Sequence, residues 1–383
     1  MRRHLRWLAP CVGAALVSTL PAAALGGTAY VERKRLTFEK EARRTLSPPG
    51  GPITLVTEDT IWLLDHSGRA VRLGALGAQC VMPQVATQSV VVRPDRAEPG
   101  MLLVLRPVRI EGFTSLVVSR NGALIVGLRW EHGRLAKLVF HDEYGHRVAE
   151  RDGREFSARK PVVAAMEDGT LFAMVARLAP RDGKQVDHRL YVIVFDNRGR
   201  EIWRRPVLGE YPDTLLLSKP AQALILVARG KAHDQWVHVL GLDGKQAGRL
   251  NWVQGASQLR VAVAPNGKWV ATCGRDTASL VRLREPAIVW QWTQEAEPTH
   301  VFDSISVADD GTVATTLYTR SGAAPPWLWV FGPNGALVWS KRLTPRLLRF
   351  RHQGSAVHLS RDGQAVWVHT RTASTLFKRQ DQP

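Results

Sequence analysis

The sequence predicts an all-β fold, an array of short four-stranded antiparallel units, preceded by one N-terminal apolar helix. Three observations carry this expectation. The phrase "VFDNRGREIW" (194–203) returns as "VFGPNGALVW" (330–339), each with Val-Phe, turn formers, Gly in sixth place, a β-branched residue and Trp. Asn-Gly and Asp-Gly pairs recur between alternating apolar runs over most of the chain. Residues 7–30 carry no charged side chain.

Composition bounds the class. The chain has 383 residues, 45% of them apolar, and 13 Trp, which excludes a disordered polymer and leaves room for a large core. Lys and Arg outnumber Asp and Glu by 52 to 34, a net charge of +18. Such an excess keeps a surface solvated and draws anionic polymers, lipid headgroups or nucleic acid, without choosing among them. The three cysteines, Cys11, Cys80 and Cys273, show no CxxC or Cys/His ligand spacing, so no structural zinc site is expected. Cys11 lies in the apolar run. Cys80 and Cys273 are therefore the one candidate disulfide pair, and two buried thiols is the preferred alternative.

The N-terminus reads as a membrane segment. Arg2, Arg3 and Arg6 precede residues 7–30, which as a helix would reach about 36 Å against a bilayer core of about 30 Å. Trp7 and Tyr30 stand at its two ends, where amphipathic rings favour the interface. A cleaved secretion signal is the alternative, with small residues at Ala22-Ala23-Ala24 and Gly27-Thr28-Ala29. Either way the remaining chain is carried across the membrane, and an uncleaved anchor is the preferred reading. The expected organisation is a cytoplasmic basic tail (1–6), the anchor (7–30), a charged stalk and linker (31–51) and one β domain (52–383). "VERKRLTFEKEARRTL" (31–46) reads as a short charged helix that ends at Ser47-Pro48-Pro49-Gly50-Gly51.

The domain reads as hairpins. "ITLVTEDTIWLLDHSGRAVRLG" (53–74) turns at Asp65–Gly68, "LVVSRNGALIVGLRW" (116–130) at Asn121-Gly122, and "VAAMEDGTLFAMVARL" (163–178) at Asp168-Gly169. "VAVAPNGKWVATC" (261–273), "ISVADDGTVATTLY" (305–318) and "VHLSRDGQAVWVH" (357–369) turn at Gly267, Gly311 and Gly363. These dipeptides tolerate positive φ and are the strongest short-range hairpin signal. Glycine spacings of 47 (122 to 169), 44 (267 to 311) and 52 (311 to 363) set the period. One hairpin, "TLLLSKPAQALILVAR" (214–229), keeps its apolar runs and lacks the glycine.

A second series interleaves: "VFHDEYGHRVAE" (139–150), "VFDNRGREIW", "VLGLDGKQAGRL" (239–250) and "VFGPNGALVW". The unit is therefore hairpin, link, hairpin, about 45 residues long. Radial arrays of this period are β-propellers. Division of the domain by the period predicts seven blades, or six if the irregular stretch 74–114 is not one. The last repeat is short, and strands at 53–73 are expected to complete it and close the ring.

"APNGKWVATC" and "SRDGQAVWVH" resemble the strand-turn-strand phrase of WD40-like propellers. "VFDNRGREIW" and "VFGPNGALVW" resemble the phrase of PQQ-like propeller repeats, a group that includes outer-membrane assembly lipoproteins. The resemblance covers nearly everything from residue 52 onward and implies architecture more than activity. The Gly-His and Trp-Asp dipeptides of WD40 repeats are absent, as is the adjacent cysteine pair of the quinoprotein dehydrogenases.

Chemistry is sparse in the pattern. Tryptophans 203, 269, 290, 292, 327, 329, 339 and 367 fall in strand-like runs and are expected to pack between blades rather than stack a ligand. His141, Asp142, Glu143 and His146 form a dense polar cluster where sister repeats turn, and a turn is the expectation. No G-x-S-x-G, H-E-x-x-H or P-loop occurs. No catalytic, metal or cofactor residue is assigned. "KRLTPRLLRFRH" (341–352) supplies Lys341, Arg342, Arg346, Arg349 and Arg351, a candidate patch for an anionic partner, joined by "WRR" at 203–205. A solvated edge is the competing reading of the same residues.

The expected function is a membrane-anchored, extracytoplasmic binding or assembly scaffold whose partner is another protein or an anionic envelope polymer. Nucleic acid is not expected for an exported domain. The alternative is an enzyme with a central-channel site, with the quinone PQQ as its candidate cofactor.

Overall fold

The computed structural model describes residues 28–381, apart from 39–41, 47–52, 58–59, 65, 76–87, 95–104, 112, 114, 120–122, 133, 157–160, 180–188, 231–234, 253–258, 275–276, 285, 294–299, 320–325, 344–355 and 371–372. These residues contain strands and turns and no helix. Six four-stranded antiparallel sheets form from consecutive strands, and one more joins the two ends of the described chain.

Strand β1 (Thr28–Thr37) belongs to that last sheet. The first consecutive sheet is β2 (Ala42–Leu46), β3 (Ile53–Thr57), β4 (Thr60–Leu64) and β5 (Ala70–Ala75). Strands β6 (Gln88–Pro94) and β7 (Leu105–Glu111) pair only with each other. The next sheet is β8 (Ser115–Val118), β9 (Ile125–Glu131), β10 (Arg134–His141) and β11 (Arg147–Asp152). It is followed by β12 (Val162–Ala165), β13 (Leu171–Ala176), β14 (Leu190–Asp196) and β15 (Glu201–Val207). Then come β16 (Tyr211–Ser218), β17 (Ala223–Arg229), β18 (Gln235–Gly241) and β19 (Gln246–Trp252). The fifth is β20 (Arg260–Val263), β21 (Trp269–Cys273), β22 (Thr277–Arg282) and β23 (Ala287–Thr293). The sixth is β24 (His300–Val307), β25 (Val313–Thr319), β26 (Trp327–Phe331) and β27 (Leu337–Arg342). Finally β28 (Val357–Leu359), β29 (Ala365–His369) and β30 (Ala373–Asp381) accept β1 as their fourth strand.

The first strands of successive sheets from β8 to β28 touch one another in order, so they lie inside and the fourth strands form the outer edges. Between successive sheets from β8–β11 to β24–β27 sits a core built largely from the middle strands. Phe140, Phe172 and Phe195 fill one, Leu217, Leu226 and Val194 the next, and Val239 and Val270 the third. Burying a side chain of this size stabilises by about 1.5–3 kcal/mol, so the middle strands read as continuous apolar runs. Leu190–Phe195 and Ala223–Ala228 are buried at every position. The inner edge of β28 is also satisfied laterally. Ala356, just before the strand, and Leu359, its last residue, donate their N–H groups to Ser304 Oγ (2.6 Å) and Ser306 Oγ (2.9 Å) of β24.

The expected hairpins whose turns are described form, including the one without glycine, whereas Asn121-Gly122 and Asp65 lie outside the described residues. Where Gly267 donates its N–H to Ala264 O at 2.9 Å, Gln222 donates to Lys219 O at 3.1 Å and takes the same left-handed conformation, φ 50°. The alternating apolar runs fix this register, and the turn residue bears the strain.

Three expectations are corrected. Residues 31–46, expected as a charged helical stalk, form β1 and β2. Lys34, Leu36 and Phe38 alternate inward while Arg33, Arg35 and Thr37 face solvent, so the dense charge decorates one side of a strand. The strands at 53–73 do not complete the last repeat. They make their own sheet with β2, and β1 completes the last one by pairing Thr28–Thr37 with Ala373–Asp381. Tyr30, expected at a membrane interface, is 5% exposed and donates its hydroxyl to Gly363 O at 2.6 Å. Residues 1–27, which hold the expected basic tail (1–6) and the rest of the expected anchor (7–30), lie outside the described residues, among which no helix is long and apolar enough to cross a membrane.

Candidate functional site

Antiparallel order places the turns between first and second strands, and those between third and fourth, at one end of every sheet. That end is built from short turns whose polar groups bind the neighbouring sheet. Asp309 shows the pattern. Its carboxylate accepts from Asn266 N (2.6 Å) on one side and from Arg361 Nε (2.5 Å) on the other. Its carbonyl accepts from Asn266 Nδ2 (2.8 Å) and Trp269 Nε1 (3.1 Å). Asp168 pairs with Lys219 at 2.7 Å across another such boundary. Burial pushes the Asp168 carboxyl up, but hydrogen bonds from Lys219 and Thr170 outweigh it and hold the group below the ordinary carboxylate range.

The outer turns use a second device. A cation on a fourth strand donates to the turn carbonyl of the next sheet: Arg151 Nε to Gly199 O (2.7 Å), Arg205 to Gly244 O (2.6 Å) and Lys34 Nζ to Gly68 O (2.7 Å). The third of these ties the last sheet to the first, and Lys378 Nζ adds a bond to Ser67 O at 3.0 Å. Trp203 reinforces its boundary, donating Nε1 to Leu242 O (2.7 Å) while its ring lies under Gly244. Trp290 lies likewise under Gly335 and against Phe331, ring centroids 5.3 Å apart. Trp339 meets Tyr30 and Phe377 at 5.2 and 5.5 Å. These tryptophans are wedges between sheets, as their strand positions predict.

The opposite end carries the other connections, several of them longer than the turns. Residues 177–189 join β13 to β14, and residues 343–356 join β27 to β28. The candidate basic patch belongs to the second. Lys341 and Arg342 end β27 and are exposed, whereas Arg346, Arg349 and Arg351 lie outside the described residues. "WRR" does not join them. Arg204 is bound to Glu201 (2.5 Å) and Glu155 (3.4 Å), Arg205 is bound to Gly244, and β15 is separated from β27 by two sheets in chain order.

The "FHDEYGH" cluster is a turn. Asp142 Oδ1 accepts from Tyr144 N and His146 N, both at 2.9 Å, and Gly145 donates to Asp142 O. His141 is buried at the end of β10 and faces Phe113, so burial lowers its pKa. Cys273 is a free, fully buried thiol pushed up by that burial, and Cys80 lies outside the described residues. No group of three His, Cys, Asp or Glu suited to a metal occurs among the described residues.

One polar group escapes the sequence reading. His358 and His369 lie on adjacent strands of the closing sheet, ring centroids 5.2 Å apart, with Trp367 stacked on His369. His369 Nδ1 is 2.7 Å from Ser374 Oγ. Burial, aided by His358 and His66, holds His369 well below its ordinary pKa. The signal was present as one histidine in each strand run of "VHLSRDGQAVWVH" (357–369), but pairing β28 with β29 was needed to bring them together.

No family model and no curated protein matches the chain. Solved structures do. The structure of the Dos1 propeller is similar at TM-score 0.55 and 11% identity, over 91% of this chain and 95% of that one. The crystal structure of Kluyvelomyces marxianus Hsv2 is similar at TM-score 0.50 and 9% identity, over 90% and 98%. At such identity the likeness concerns fold alone. With successive four-stranded antiparallel sheets packed face to face and the last completed by the chain's beginning, this all-β chain has the β-propeller fold.

Proposed function

We propose that the chain is a membrane-anchored, extracytoplasmic scaffold. In this reading the sheets are seven blades of one ring, closed by β1, and one end of the disc receives an acidic protein or an anionic envelope polymer. The observation that carries the reading is the inequality of the two ends. At the turn end, Asp168, Lys219, Asp309, Arg361, Arg151 and Arg205 are committed to neighbouring sheets. The other end bears longer connections, and the sequence of 343–356 continues the exposed Lys341 and Arg342 with three further arginines. A cationic mouth on a protein of net charge +18 favours a negatively charged partner.

Two measurements test this. Carbonate-washed membranes are expected to retain the full chain and to release a chain lacking residues 1–27, and equal release of both ends the anchor. Replacing Arg346, Arg349 and Arg351 with Ser is expected to weaken binding to polyglutamate and to flatten its salt dependence, since exposed charges act over about 8 Å at physiological ionic strength. Unchanged binding by a normally folded triple variant rejects the patch.

A further inference from the structure

The boundary between the last sheet and the first buries histidines. In the last sheet His358 stands directly opposite Trp367, Trp367 opposite Leu376, and His369 opposite Ser374, so these side chains share one face. That face meets the first sheet. Leu376 packs against Gly68, and Ile53, Leu55 and Leu64 join Trp367 and Leu376 in one core. The other face, with Tyr30 and Phe377, packs on Trp339 of β27. His358 and His369 are thus sealed where the end of the chain meets its beginning, 8% and 0% exposed. His66, in the facing turn, is near enough to act on His369.

This setting accepts a neutral imidazole and not a charged one. A protonated ring donates from both nitrogens and needs two acceptors. His369 Nδ1 has Ser374 Oγ at 2.7 Å, and its Nε2 is buried with no hydrogen-bond partner. The groups around it have the wrong sign to help. Lys34 of β1 and Lys378 of β30 share its face and donate to Gly68 O and Ser67 O, while His358 and His66 are the neighbouring rings. The Asp362 carboxylate acts on His66 and is engaged by Ser360 Oγ and Gln364 N. Burial, then the two histidines, hold the His369 pKa well below its ordinary value.

We propose that this boundary is an acid-opened seam: proton uptake by His369 parts the last sheet from the first, frees β1 and β30 from the turn at 66–68, and bares Leu55, Leu64, Trp367 and Leu376. The sign follows from linkage. With the seam shut the ring stays neutral, and with it open, water solvates the ring, which then titrates near its ordinary value of about 6.5. Closure is therefore fully favoured above about pH 6.5 and weakens below it, by about tenfold between pH 7.5 and 5.5 for the one proton. The buried His238 and His141 belong to other sheets, where His238 Nε2 lies 2.9 Å from Leu208 O and His141 faces Phe113.

Hydrogen exchange of the full chain in mild detergent at pH 7.5 and 5.5, with each rate divided by the intrinsic amide rate at that pH, tests the seam. Amides of residues 28–37 and 373–381 are expected to lose about tenfold in protection at the lower pH, and those of 190–196 and 223–229 to keep theirs. In His369→Gln, which cannot take up the proton, residues 28–37 are expected to be protected alike at both pH values. The comparison of strands within the wild type stands whether or not the variant folds. Wild-type protection equal at the two pH values, a loss spread evenly over all sheets, a loss confined to β10 or β18, or a folded His369→Gln chain that keeps the pH dependence each overturns the proposal.

Discussion

Gly267 and Gln222 occupy equivalent turn positions and show what a single Cβ costs. A Cβ on Gly267 would stand 2.2 Å from Ala221 N, and its φ of 68° already disfavours a side chain. Gly267→Ala is therefore expected to lose at least about 2 kcal/mol, read from urea unfolding. Gln222 already bears a positive φ of 50°, so Gln222→Gly is expected to raise stability by about 0.5 kcal/mol and Gln222→Val to lower it. His369 makes a prediction in pH. Its pKa is depressed in the folded chain, so the unfolded chain binds a proton first as pH falls through about 6.5. The stability tied to the neutral ring is present above that pH and declines below it. The melting temperature of the wild type is expected to fall faster between pH 7 and 5 than that of His369→Gln, and parallel curves would refute the assignment.

At the scale of elements, neighbouring sheets are held by the fourth strand of one reaching the outer turn of the next. Trp203 is the test case, because its ring packs on Gly244 and its Nε1 binds Leu242 O at 2.7 Å. Trp203→Ala is expected to cost about 3 kcal/mol through lost packing and a cavity. Trp203→Phe keeps most of the packing and is expected to cost about 1 kcal/mol for the hydrogen bond. Equal losses in the two variants would mean the bond, not the wedge, fastens these sheets. The hairpins themselves were legible because alternation and turn chemistry are local. The wedges were legible as residue types, since large rings at recurring strand positions have few other uses. Their partners were not, because each lies one repeat away.

At the scale of the molecule, closure depends on β1. Deleting residues 1–27 is expected to leave the thermal transition unchanged, because Thr28 begins the paired segment. Deleting residues 1–37 removes the partner of β30, the Tyr30 hydroxyl bond to Gly363 and the Lys34 bond to Gly68. That chain is expected to lose its cooperative transition by circular dichroism. A cooperative melt within a few degrees of the wild type would show that the closing sheet stands without its fourth strand.

The amino-acid sequence by itself determined the all-β class, the four-stranded unit and its turns, because strand periodicity and left-handed turn residues act over a few positions. It also marked the tryptophans as packing residues and the 341–352 segment as basic. Only the tertiary structure decided which strand completes the last sheet. "VERKRLT" has a charge density that reads locally as a solvated helix, and its alternation acquires meaning only when β30, more than 300 residues later, offers an edge. The same holds for His358 and His369, and for the separation of Arg204 and Arg205 from Lys341. Charge and type are written along the chain, whereas which groups meet depends on contacts between distant strands that no local pattern specifies.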